Sequence, residues 1–297
     1  MYNEFYELRR NPFEITPDPS FLFSSKGHKE ALAALCYCVR RHRGISVLTG
    51  EAGTGKTFLI GCLLRLFAYS DIAYAYVFNS RLSSLEFLQY VSADFGLEAW
   101  GKTKGEVLHQ LSKCIVARHQ KQLTTVVVVD EAHDLSTEAL EETRLLTNLE
   151  TAEEKLLQIL LVGQPELDEK LDSLELKQLK QRIALRSHLE PLDLEETSGY
   201  IRHRLRLASA HAHAGKLFPD ETIERIYCHS RGIARLINAV CENALTIGFL
   251  RQLTSVSPDI IDEVAFDLRL NIASPTQKTE QSSDPMLEAD DDPAFMA

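Results

Sequence analysis

Apolar residues fall into two kinds of segment along this chain. Short unbroken apolar runs, "ISVLT", "IAYAYVFN", "TTVVVVDEA" and "LLQILLVG", have the length and β-branched content of strands buried on both faces. Between them lie longer stretches with helical spacing: "SKGHKEALAALCYCVRRHRG", "KTFLIGCLLRLF", "SSLEFLQYVSADFGL", "KGEVLHQLSKCIVARHQKQ" and "STEALEETRLLTNLE", the last with Ser136 as its N-cap. "SLELKQLKQRIALR" predicts a further helix, followed by a short strand around "SHLEPL". Strands alternating with helices predict an open parallel α/β sheet flanked by helices.

The pattern changes after Pro191. "LEETSGYIRHRLRLASAHA", "PDETIERIYCHS", "GIARLINAVCENALTIGFLR" and "SPDIIDEVAFDLRL" all read as helices, which predicts a small all-helical second domain over 192–270 after an α/β domain over 26–191. Residues 1–25 hold Pro12, Pro17 and Pro19 among aromatics, so an extended segment that packs on a partner surface is expected. A nucleotide base near Phe13 and Ile15 is one candidate for that surface. Residues 271–297 are poor in apolar side chains and include "EADDDP", which predicts a disordered acidic tail.

Composition narrows the class. The chain has 297 residues, 44% hydrophobic and 25% charged, with a formal net charge of −11. That charge disfavours strong non-specific DNA binding by a monomer, because such binding neutralises phosphates with cations. No apolar run is long enough to span a bilayer and the first residues lack a signal-peptide core, so a cytoplasmic location without direct membrane insertion is expected. Six scattered cysteines suggest reduced thiols rather than a zinc site. His211 and His213 lack a third ligand nearby.

The chemistry concentrates at the strand ends. "GEAGTGKT", Gly50 to Thr57, matches G-x-x-x-x-G-K-[ST] with a strand before it and a helix after it. Gly50, Glu51, Ala52, Gly53, Thr54 and Gly55 would wrap backbone N–H groups around phosphates, with Phe58 following in the helix. Lys56 would reach the β- and γ-phosphates, and Thr57 would place its hydroxyl on Mg²⁺. "VVVVDEAH" adds Asp130 as the second holder of Mg²⁺ and Glu131 to polarise an attacking water. In "LLVGQPEL", Gln164 follows a buried strand and could orient that water or contact the γ-phosphate. Arg182 and Arg186, four residues apart in the predicted helix, are alternative arginine fingers for a neighbouring subunit's nucleotide. Arg235, in the G-x-x-R of "SRGIARLIN", would reach back across the domain cleft to the γ-phosphate.

Taken with "MYNEFYELRRNPFEITPDPSFLF", "LKQRIALRSHLEPL", "YIRHRL" and "GIARLIN", these motifs make the chain resemble the AAA+ ATPases over about residues 1–270. More narrowly, it resembles the ATPase component of the general secretion pathway, protein A type (the ExeA-like family). The resemblance implies a P-loop AAA+ sheet followed by a helical lid, hydrolysis of ATP with Mg²⁺, and assembly as a homo-oligomeric ring or filament. It also implies a protein partner in an envelope machine for secretion, polysaccharide export or pilus assembly, with any membrane association through that partner. Secretion-type members carry a transmembrane helix and a peptidoglycan-binding domain after the ATPase; a short form without them is expected here. The alternative is a DNA-associated regulator resembling transposition helper ATPases, for which "RHRLR", Arg202 to Arg206, is the compact basic cluster.

Overall fold

The four valines of Val126–Val129 point alternately to opposite sides of a sheet. Val127 and Val129 join one hydrophobic core and Val126 and Val128 the other, so the strand is apolar throughout because both faces are covered. The computed structural model describes residues 2–14, 21, 23–78, 81–209 and 217–270. Ile15, His211, His213 and the expected acidic tail lie outside the described residues.

Among the described residues, five strands form one parallel sheet: β1 (Ile45–Gly50), β2 (Ile72–Val77), β3 (Thr124–Val129), β4 (Leu157–Val162) and β5 (Ile183–Leu189). Their order is β2-β3-β4-β1-β5. Register sets Val128 beside Tyr76 and Leu160, and Val47 beside Leu161 and Arg186. α2 (Lys26–Arg40) and α3 (Lys56–Ala68) cover one face through Leu35, Leu59 and Leu63. α4 (Ser84–Asp94), α5 (Lys104–Gln120) and α6 (Thr137–Leu146) cover the other through Phe87, Leu111 and Leu140. Ser83 and Thr103 each make a reciprocal capping box, and Ser136 accepts from the Ala139 N–H as expected. Each such cap stabilises its helix by about 1 kcal/mol.

The region before β5 differs from expectation. Only α7 (Glu166–Leu171) and the single turn α8 (Lys177–Lys180) are helical there, and residues 183–189 form the edge strand. The seven residues of β5 alternate in burial almost to the end, a period of two that places Arg186 within a strand and Arg182 in the turn before it. The two arginines therefore do not share a helical face.

Among the described residues four helices follow: α9 (Leu194–Ala208), α10 (Asp220–Ser230), α11 (Ala234–Leu250) and α12 (Pro258–Asp267). They enclose their own core around Ile201, Leu205, Ile237, Val240, Leu245 and Ile261. Gly232 packs against Leu192, in the segment that follows β5. Its φ is +75°, and a Cβ there would sit 1.8 Å from the Leu192 carbonyl oxygen, while the Leu192 N–H donates to the Gly232 carbonyl at 3.0 Å.

The N-terminal segment packs on the helical part. It begins with a helical turn, α1 (Tyr2–Phe5), where an extended chain was expected; its prolines start only at Pro12. Tyr6, Leu8 and Phe13 are buried in the helical core. Phe13 meets Phe218 edge-on at 6.0 Å between centroids, and its burial contributes about 2–3 kcal/mol. The Tyr2 hydroxyl donates to Glu242 Oε2 at 2.6 Å, and Arg204 Nε donates to the Pro12 carbonyl at 2.6 Å. No described helix is long and apolar enough to cross a membrane.

Candidate functional site

In a parallel sheet the C-terminal strand ends gather the loops, and here β1, β3 and β4 deliver three of them to one place. The turn after β1 leads directly into α3, so its N–H groups and the positive end of the helix face the same space. At Gly53 the backbone adopts φ +87°, and a Cβ would lie 2.8 Å from the Arg235 Cβ. The Gly53 carbonyl accepts from the Arg235 N–H at 3.2 Å, so the turn touches the start of α11.

Lys56 is buried. Its ammonium donates to the carbonyls of Gly50 at 2.6 Å and Glu51 at 2.9 Å. Desolvation pulls its pKa below the ordinary lysine value, while the carboxylates of Glu131, Asp130 and Glu51 oppose that shift. The Lys56 ammonium is thus hydrogen-bonded to neutral oxygens, and a polyanion arriving at the loop would offer it stronger partners.

The loop after β3 supplies the acidic side. Asp130 is buried at the strand end. Its Oδ2 accepts from the Thr57 hydroxyl at 3.2 Å and the Tyr76 hydroxyl at 3.0 Å; its Oδ1 accepts from the Glu131 N–H at 3.0 Å. Burial and then the Asp130 charge push the Tyr76 phenol well above its ordinary pKa, so Tyr76 stays a donor. Thr57 and Asp130 present adjacent hard oxygen donors, the chemistry that suits Mg²⁺. Glu131 takes a left-handed backbone conformation, φ 50°, ψ 40°. Its Oε2 lies 3.4 Å from His133 Nδ1.

From β4, Gln164 arrives beside the same imidazole, with its side-chain Nε2 3.3 Å from His133 Nε2. Ala52, Gly53, Thr54, Gly55, Lys56, Thr57, Phe58, Glu131, Gln164 and Arg235 all line one cavity of ≈ 240 Å³. Gly50 and Glu51 contribute through the carbonyls that hold Lys56. Arg182 and Arg186 do not line it. Arg182 Nη1 donates to Thr147 Oγ1 at 3.0 Å and Asn148 Oδ1 at 2.6 Å beyond α6, and Arg186 pairs with Asp168 and Asp172, both at 3.0 Å.

The cavity continues toward the helical part as an aromatic and polar wall. Phe21, Phe23, Tyr200, Arg204 and Asn238 line it, whereas Phe13 is sealed in the helical core. The Arg204 guanidinium lies over the Phe21 ring at 4.9 Å and donates to Asn238 Oδ1 at 3.1 Å. A planar apolar group would find both a ring and hydrogen-bonding partners there. His28 also faces the loop after β1; burial lowers its pKa, opposed by its bond to the Thr54 backbone. Sequence reasoning singled out neither His28, Tyr76 nor His133. Only His133 left a signal, sitting two positions after Glu131 in the quoted "VVVVDEAH".

Comparison with known proteins agrees with this geometry. Residues 39–171 match the model of a family described as an AAA domain. General secretion pathway protein A of Aeromonas hydrophila is 40% identical over 253 residues, which is 84% of this chain and 45% of that protein. The chain thus spans less than half the length of that relative. Among solved structures, the Aeropyrum pernix ORC2 protein superposes with TM-score 0.64 at 17% identity, over 87% of this chain and 71% of that one. CDC6P of Pyrobaculum aerophilum gives 0.66 at 15%, over 85% and 71%. The Thermotoga maritima RuvB Holliday junction branch migration motor gives 0.53 at 15%, over 84% and 73%. At these identities the three structures speak to fold alone.

Proposed function

We propose that this chain, whose residues 39–171 match an AAA domain and which is 40% identical to general secretion pathway protein A over 253 residues, is an AAA-type ATPase that binds ATP with Mg²⁺ and hydrolyses it to ADP and phosphate. The observation that carries this reading is the convergence of Lys56, Thr57, Asp130, Glu131, Gln164 and Arg235 from four separate segments on one site. Lys56 exchanges its backbone carbonyls for the β- and γ-phosphates. Thr57 and Asp130 hold the metal, which when bound neutralises phosphate charge. Glu131 accepts the proton of the attacking water as its oxygen bonds to the γ-phosphorus and the bond to ADP breaks. Gln164 orients that water or the γ-phosphate. Arg235 links the nucleotide to the helical part, which acts as a lid.

Arg182 or Arg186 acts on the nucleotide of a neighbouring subunit in a ring or filament, since neither lines the cavity of its own chain. The work done is remodelling of a protein partner in an envelope machine, in keeping with the relative's name. The basic-cluster argument for the alternative DNA reading is weaker in the fold: of the arginines in "RHRLR", Arg202 pairs with Asp220, and Arg204 is buried against the Pro12 carbonyl.

Glu131→Gln tests both levels. It is expected to bind ATP with near-normal affinity and to lose at least about 100-fold in turnover. Tagged in its own cells with ATP present, it should retain envelope or export components after nuclease treatment. Retention only of transposase-like proteins, or loss of all partners with nuclease, would move the protein to the DNA class. Turnover unchanged in this variant would sink the catalytic assignment.

A further inference from the structure

His133 has one ring nitrogen facing two incompatible neighbours. Its Nδ1 lies 3.4 Å from the Glu131 carboxylate, an acceptor, and 3.5 Å from the Gln164 backbone N–H, a donor. A neutral imidazole nitrogen is either protonated or carries a lone pair, so Nδ1 serves one of them at a time. The other nitrogen, Nε2, lies 3.3 Å from the Gln164 side-chain amide, which can present either N–H or C=O by rotating. The ring is mostly buried and the backbone that carries it is held. Its side chain is only 16% exposed, Lys170 Nζ donates to the His133 carbonyl at 3.1 Å and also to that of Leu135, and Gly163 leaves room for the His133 backbone.

We propose that His133 is a positioning residue whose tautomer couples the Gln164 amide to the Glu131 carboxylate. The proposal rests on the ATPase reading above. Two arrangements satisfy the ring and the Gln164 amide, and each leaves a different neighbour of Nδ1 without its bond. In the first, the amide N–H of Gln164 donates to Nε2, so the proton is on Nδ1 and donates to Glu131, which is thereby tethered. In the second, a γ-phosphate takes the amide N–H. Gln164 then turns its carbonyl to the ring, Nε2 carries the proton and donates to it, and Nδ1 accepts the Gln164 backbone N–H. Glu131 is then released to take a water. One proton is moved from Nδ1 to Nε2 and none is gained or lost. The site thus withholds its base until a γ-phosphate is in place.

The ring ¹⁵N resonances of His133 report the tautomer directly and are assigned by their disappearance in His133→Gln. The expected result is Nδ1–H without nucleotide and with ADP, and Nε2–H with a non-hydrolysable ATP analogue. One tautomer throughout overturns the proposal. A kinetic cycle gives a second readout. His133→Ala should lower kcat about tenfold while analogue affinity stays within about threefold, and a subsequent Gln164→Ala should cost clearly less than the same substitution costs in wild type. Fully additive losses overturn the coupling. His133→Gln, which keeps one donor and one acceptor, should recover part of kcat where Ala does not, at an unchanged melting temperature. If wild type binds no ATP analogue at all, the ATPase reading falls and this proposal with it; binding and turnover without coupling would remove the proposal alone.

Discussion

A methyl group on Gly232 has nowhere to go. The Leu192 carbonyl oxygen occupies its place at 1.8 Å and the backbone is left-handed, so Gly232→Ala should cost about 3 kcal/mol or more, read as a lower urea midpoint. His28 gives a pH prediction. Burial depresses its pKa, so the unfolded chain binds the proton more readily than the folded one. Its contribution is complete above the ordinary histidine range, about 6.5, and is lost as pH falls through that range toward the depressed value. Wild type should therefore lose more urea resistance than His28→Gln on going from about pH 7 to about pH 5, and equal losses would refute the assignment. At this scale, the residues around Lys56 and Asp130 were legible because each occupies a fixed offset from a strand end. Tyr76 was not, because an aromatic within a strand gives no sign of which carboxylate the next strand brings beside it.

Elements differ in how much of themselves they announce. The valine strand, the helices with Ser or Thr caps and the switch to helices after Pro191 could all be read from pattern. The stretch from Ser173 to Arg186, read as one helix, could not. Its many Leu and Lys residues suit a helix, but a single turn, α8, is all that forms before β5 takes the free edge of β1. There tertiary pairing overrides local preference. The same region separates the two candidate fingers by stability. Arg182 satisfies groups beyond the end of α6, so Arg182→Ala should lower stability by about 1 kcal/mol. Arg186 and its two aspartates are each about a third exposed or more, so Arg186→Ala should cost less than about 1 kcal/mol in melting experiments. A concentration-dependent loss of turnover in Arg186→Ala without a stability change would mark it as the residue acting between subunits; the same result in Arg182→Ala would transfer that role.

The molecule as a whole is stitched so that its first residues belong with its last described helices. Removing residues 1–14 would strip Tyr6, Leu8 and Phe13 from the helical core and leave both cores on the sheet intact. Such a truncation should lower the melting temperature and add a separate early transition from the helical part, and a single cooperative melt at the wild-type temperature would contradict this reading. The contact between Tyr2 and Glu242 has a consequence for how the chain is made. A ribosome delivers residues in order, so the N-terminal aromatics emerge first and wait, unpaired, until α11 leaves the exit tunnel. In that interval the sheet can close around its own cores, whereas the wall holding Phe21, Tyr200 and Arg204 cannot exist. A nascent chain therefore completes its phosphate loop well before it completes the rest of the cavity, and competence for the whole ligand waits for α9 and α11.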